Sequence, residues 1–319
     1  MPATSGRRSQ FLLLLLTAVY LLAAVPISPA FFLGPLAALL LASHPRTTRE
    51  WLWIAISIGA LAAWLRLPTS LAEQTVRASA AFFVGAFLAL TLGRVRSLVG
   101  RSLAAVAIAS LATVGWFVAL HFRFVTMENE LITQTWDAWR QLFADLPAAM
   151  PPASDLLIES TTTDRARQFA TGLTIGVALF PAWLALFALS GVRLAWSWYQ
   201  RIARTPLFPP AEQFRHFRFN DQMVWLLVAA LAAALLGQAR PVTLAATNVL
   251  TVVGALYALR GAAVLRMAVL KASPIFIGVL FLLMLALFSV IPVGWALLGI
   301  ADTWIDFRRR MAPPSGVVT

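Results

Sequence analysis

Phe11-Leu-Leu-Leu-Leu-Leu-Thr-Ala-Val-Tyr-Leu-Leu-Ala-Ala-Val25 carries side-chain polar atoms only at Thr17 and Tyr20, and runs like it recur as far as Ile300. Hydrophobic residues make up 60% of the 319 residues and charged residues 12%. That charge is about half of what a soluble domain uses to cover its surface. Mean hydropathy is +0.81. Hydrocarbon offers no hydrogen bonds to a backbone, so each run must satisfy its own peptide groups, and a helix does so within one segment. The expected fold is all-α: a polytopic transmembrane helical bundle forming a single integral membrane domain over residues 1–319.

A spanning helix needs about 20 apolar residues. By that measure membrane segments are expected at about 11–25, 29–43, 51–66, 74–93, 102–121, 168–192, 222–238, 242–270, 274–290 and 293–307. The first and last pairs are short, so the chain has about 8–10 segments including terminal hairpins or re-entrant elements. Ser28-Pro-Ala30 resembles a signal-peptide cleavage site, but Pro29 and the immediate second run favour an uncleaved first helix.

Orientation follows from arginine. Arg7/Arg8, Arg46/Arg49, Arg94/Arg96/Arg101, the stretch Arg193–Arg218 and Arg308–Arg310 fall on one side when ten segments alternate, which makes that side and both termini cytoplasmic. The 122–167 loop then lies outside, and it holds seven of the 13 acids. Within it Ile132, Trp136, Trp139 and Phe143 form one helical stripe. Residues 128–146 are expected to form an amphipathic helix lying flat on the outer surface with tryptophans at headgroup level, in preference to a lid over a pocket.

Composition excludes several chemistries. There is no Cys, and the three histidines are isolated, so neither thiolate chemistry nor a metal site is expected. The net charge of +12 rests on 24 Arg and Lys271 alone, with no phosphate-cradling glycine-rich loop before that lysine. No cofactor and no enzymatic activity are expected.

Charged and polar groups in apolar segments are the candidate functional residues. Arg260 lies about three turns from the end of a long segment that also contains Asn248; it either snorkels to cytoplasmic headgroups or lines an internal cavity, with Asp302 its candidate ion-pair partner. Together Asn248, Arg260 and Asp302 form the candidate ligand-binding set. Asp302 and Asp306 are one turn apart, as are Glu73 and Arg77, the latter expected to pair. Gly172 and Gly176 offer a face for close helix approach, and Pro181 is expected to kink its segment. In the loop 205–221, Phe214, Arg215, Phe217 and Arg218 interleave rings with charge. Beside a cytoplasmic leaflet this favours anionic lipid headgroups, or a protein partner, over nucleic acid.

Residues 205–310 carry a recognisable order: the aromatic–basic loop, a span, a helix with Asn248-Val-Leu and Leu259-Arg-Gly261, an apolar run, then Leu298-Gly-Ile-Ala-Asp302-Thr-Trp-Ile-Asp306-Phe-Arg308. This resembles the YybS-like family of uncharacterised bacterial integral membrane proteins. The positions matching its pattern are Asn248, Gly261, Gly299, Asp302, Asp306 and Arg308, while Arg260 departs from it. The resemblance implies a bacterial inner-membrane protein with no established activity. Its layout is similar to the substrate-binding subunits of energy-coupling-factor transporters. The expected function is therefore small-solute binding or a transporter-like role without its own ATPase, served by a separate ATPase and membrane subunit. The alternative is a membrane scaffold or assembly factor recruiting a cytoplasmic partner through residues 193–221.

Overall fold

Caps and apolar runs set the helix boundaries in the computed structural model, which describes residues 3–24, 28–93, 97–143, 164–210, 214, 217–269, 273, 278 and 290–307. Among the described residues there are eleven helices and no strand. The expected segment 274–290, most of the loop after α6, Arg94, Arg96, Arg215 and Arg308–Arg310 lie outside those residues. The chain divides into two compact units, Met1–Ala211 and Glu212–Thr319, where the sequence reads as one membrane domain.

The first unit contains α1 (Ala3–Ala24), α2 (Ala30–Ala42), α3 (Thr48–Leu65), α4 (Leu71–Leu92), α5 (Leu98–Ala119), α6 (Phe124–Leu142), α7 (Asp164–Ala178) and α8 (Phe180–Ile202). Helix α2 is apolar all round, and such a helix belongs inside a fold. Its Leu36, Leu39 and Leu40 are fully buried, and α3, α4 and α8 pack around it. At 13 residues it is too short to span alone. It is a core helix of this unit.

Helices α4, α5 and α8, with residues Arg240–Met267 of the second unit, are long and apolar enough to cross a membrane. Their outward faces remain apolar: Leu111, Val114 and Val118 of α5 are all strongly exposed. In water such a face would drive aggregation; in a bilayer it is the ordinary lipid contact.

The single expected segment 168–192 is two helices. The break falls at Leu179, directly before Phe180-Pro181 at the start of α8. Proline removes a backbone donor and prefers the first helical turn; here it ends one helix and begins another instead of bending one. Gly172 and Gly176 lie on α7, yet a β-carbon at either would meet nothing within 4 Å, so they do not serve the expected close packing.

The amphipathic helix is present as α6, and its apolar stripe packs against α7. Trp136 is only 2% exposed, packed with Ala166, Ala170, Leu173 and Val177 of α7. Trp139 and Phe143 both meet the ring of Phe169. The hydrophobic stripe was correctly placed in sequence; α7 covers it because a packed apolar partner stabilises it more fully than an interface.

Fixed polar contacts join the elements. Glu130 of α6 accepts from the amide of Leu71 at 3.0 Å and so caps α4, alongside the Ser70–Glu73 capping box. Glu73 and Arg77 do not pair. Arg77 instead donates to the carbonyls of Trp64, Leu65 and Leu67, satisfying acceptors that every helix C-terminus leaves open. His44 and His121 adopt left-handed φ of 52° and 57° beyond the ends of α2 and α5, a conformation that turns the chain away from the helix axis.

Glu50 ties α3 to the end of α8. One carboxylate oxygen accepts the amides of Arg46 and Thr47 and the Thr47 hydroxyl, each at 2.8 Å; the other accepts the Arg204 amide at 2.8 Å. The Arg204 amide is the main cause, with the Arg46 and Thr47 donors adding to it, that the carboxyl titrates at about 2 despite the opposing effect of burial. A pKa lowered from 4.5 to about 2 stabilises the fold fully above the unfolded value, and that contribution fades as pH falls from 4.5 toward 2. Glu50→Gln should therefore destabilise at pH 7 and converge on wild type in acid. Unfolding titrations at pH 7, 4 and 3 check this; a pH-independent difference would contradict it.

The second unit contains α9 (Met223–Leu236), α10 (Arg240–Val269) and α11 (Ile291–Ile305), with α10 packed against both neighbours.

Candidate functional site

Two places in the chain gather polar chemistry or space. The first is a row of alternating charges in the second unit. Arg260 is completely buried and Asp302 is 2% exposed. The Arg260 guanidinium donates from Nε to Asp302 Oδ2 at 2.9 Å and from Nη2 to the Asp302 carbonyl at 3.2 Å. Its Nη1 donates to Asp221 Oδ1 at 2.6 Å. Asp221 also accepts from Arg218 at 2.8 Å, and Arg218 reaches Asp306 at 3.9 Å. A planar fork suits two carboxylates at once better than an ammonium would.

Asp221 precedes α9, and there burial alone would raise its carboxyl pKa; the hydrogen bonds from Arg260 and Arg218 outweigh that and hold it below the usual value. Its stabilising contribution is thus present above the ordinary carboxylate range and is lost as pH falls through and below it. Phe219 covers the cluster, with the Arg260 guanidinium 5.6 Å from its ring centre and Tyr257 edge-on at 5.0 Å.

Two glycines bring the charges together. A β-carbon on Gly261 would strike the carbonyl of Trp295, and one on Gly299 the carbonyl of Tyr257. Helices α10 and α11 therefore touch backbone to backbone, one residue from Arg260 and one turn from Asp302. Asn248 stands apart: it is twelve residues along α10 from Arg260, about 18 Å of helix rise. Its amide donates to the Leu244 carbonyl of its own helix at 2.9 Å. Asp306 leaves the helix face it would share with Asp302, capping α11 with a left-handed φ of 45°.

Much of the aromatic–basic loop is also internal. Phe214, Phe217 and Phe219 form a chain of ring contacts at 6.3 and 6.1 Å, and Phe219 is buried. Arg218 is half exposed and held by Asp221. Asp221 was not singled out in the sequence, although its i,i+3 spacing from Arg218 is a pairing signal.

The second place is a cavity of about 380 Å³ in the first unit, which no sequence motif marks. Helices α4, α5, α6 and α8 wall it, with Phe31 of α2 at one side. Phe83, Phe117, Phe180 and Met127 are among its apolar lining residues. Thr75, Ser79, Ser110 and Thr113 contribute hydroxyls. Two of these meet, Ser79 and Thr113 at 3.1 Å, while Thr113 also donates to the Ala109 carbonyl at 2.8 Å. Among the described residues no acidic, basic or histidine side chain lines the space. The exposed Val114 and Val118 stand at its edge.

Residues 10–303 match a family described as predicted membrane protein, DUF2232. The chain belongs to this family. The match bears out the resemblance read in residues 205–310 and extends it upstream almost to the N-terminus. As a DUF2232 protein the chain is an integral membrane protein. No curated protein and no solved structure matches it.

Proposed function

We propose that this DUF2232 protein is a non-enzymatic inner-membrane binder of a small, largely apolar solute, and acts as the solute-binding part of a transport system. The cavity between α4, α5, α6 and α8 carries the reading. Small-molecule sites are commonly concave, mostly apolar, about 300–1,000 Å³, with a few polar groups that orient the ligand. A cavity of about 380 Å³ with four hydroxyls fits that description. The favoured ligand has an apolar body and one or two hydrogen-bonding groups, and it enters past Val114 and Val118 from the bilayer.

The absence of titratable groups among the lining residues argues for binding over catalysis, since proton transfer needs a group that can change charge. The chain has no phosphate-cradling loop, so active transport would draw on a separate ATPase. Arginine distribution supports cytoplasmic termini, which puts the α6–α7 pair and its acids outside. The scaffold alternative is weaker, because Phe208 and Phe219 are engaged in internal packing instead of facing outward.

In this reading Arg260 and Asp302 hold α10 to α11, and the ligand sits in the first unit. Ala109→Phe places a ring in the cavity. Wild-type protein in detergent should bind 1-naphthol saturably at one site, and Ala109→Phe should weaken that at least about tenfold, the effect of excluding a ligand from an apolar pocket. Equal binding by a folded variant would refute the assignment.

A further inference from the structure

We propose that Arg101 forms an anion site for a phosphate group, supplied either by a phospholipid headgroup or by free phosphate. Arg101 is 7% exposed and lies in the first turn of α5. Its guanidinium stacks on two rings, 5.1 Å from the centre of Trp196 and 5.7 Å from that of Phe208. Among the described residues it has no carboxylate partner and no hydrogen-bond acceptor, and Nε is sealed from solvent without one. The other buried cation among the described residues, Arg260, meets two carboxylates.

Two rings offset only part of the cost of desolvating a guanidinium, since cation–π contacts contribute about 0.5–2 kcal/mol while an uncompensated buried charge costs several. The position deepens the imbalance. The N-terminus of a helix carries positive partial charge, which disfavours a cation and favours an anion. At α5 the Ser97 hydroxyl accepts from the Gly100 amide at 3.2 Å and the Ser97 carbonyl from the Arg101 amide at 2.9 Å. The amides of Leu98 and Val99, ahead of these, have no intrahelical acceptor by the geometry of any helix start. An anion beside Arg101 answers both needs: it pairs the guanidinium and takes the open amides.

The site is built. Trp196 donates to the Pro209 carbonyl at 3.2 Å and Gln200 to the Phe208 carbonyl at 2.8 Å. These bonds hold the two rings at 5.6 Å from one another and so fix the plane in which the guanidinium lies. A planar fork held in that way matches two oxygens of a tetrahedral phosphate. The arginine clusters place this end of α5 at the cytoplasmic leaflet, where anionic phospholipid is present.

The test uses the full-length protein in mild detergent, with two probes. In the lipid arm, native mass spectrometry compares retention of phosphatidylglycerol and phosphatidylcholine. In the phosphate arm, the thermal midpoint in inorganic phosphate is compared with that in chloride at equal ionic strength. Wild type should retain phosphatidylglycerol about tenfold over phosphatidylcholine, as expected for one charge-assisted contact, or gain several degrees from phosphate; the responding arm identifies the source. Arg101→Gln should abolish the response, and Arg101→Lys, which keeps the charge without the flat face, should restore only part of it. Arg266→Gln removes an exposed charge from α10 and should change nothing. The proposal is overturned if wild type responds in neither arm, if Arg101→Gln behaves as wild type, or if Arg266→Gln reduces retention equally. If Arg101→Gln fails to fold, a partial loss in Arg101→Lys against an unchanged Arg266→Gln carries the test, and a full wild-type response in Arg101→Lys overturns the proposal.

Discussion

Gly261→Ala is expected to force α10 and α11 apart and lower the stability of the second unit by about 2–3 kcal/mol, toward the upper end of overpacking costs. The upper end applies because the β-carbon would meet the carbonyl of Trp295, and a carbonyl cannot rotate aside as a side chain can. Gly299→Ala should do the same, since its β-carbon falls on the Tyr257 carbonyl. Gly254 supplies the control: it lies on the same helix, and a β-carbon there meets nothing within 4 Å. Gly254→Ala should be neutral or stabilising by up to about 1 kcal/mol, the helix-propensity gain of alanine over glycine. Unfolding in detergent titrated with dodecyl sulfate, followed by circular dichroism, separates the three. Equal losses at positions 254 and 261 would rule out the close backbone approach.

Removing Arg260 is expected to cost still more. Arg260→Met removes the guanidinium 2.9 Å from Asp302, which is 2% exposed, and breaking a buried pair from one side costs about 3–5 kcal/mol. Asp302→Leu should be comparable but somewhat milder, because Asp221 still meets Arg260 at 2.6 Å. The double variant should recover much of either loss, since two apolar side chains of similar size can replace a buried pair at little net cost. A double-mutant cycle measures this directly. Strict additivity would mean the two charges act independently, against the 2.9 Å contact between them.

These two predictions rest on residues that were legible to different degrees. Arg260 and Asp302 stood out as charges in apolar segments, and their pairing followed from the cost of leaving either alone. Gly261 and Gly299 were marked only by family resemblance; that they face each other is a property of two helices in contact. Asp221 was overlooked because it lies in a loop, where a carboxylate needs no special account. Arg101 was counted as one of many orienting arginines, and its place between Trp196 and Phe208 depends on a loop folding back onto α8.

Membrane residence and most helix positions were readable directly from the chain. In hydrocarbon a helix satisfies its own backbone, so the decision to be helical is taken segment by segment and sums over neighbouring residues. The exceptions have local causes with two outcomes, as at Phe180-Pro181, where a proline can bend a helix or begin one, or at α6, whose apolar stripe could face lipid or α7. The cavity, the place of Asp221 in the charge row and the isolation of Arg101 come from tertiary structure alone. Each depends on how helices distant in sequence are rotated against one another, and hydropathy along one segment carries no record of which neighbour its face will meet.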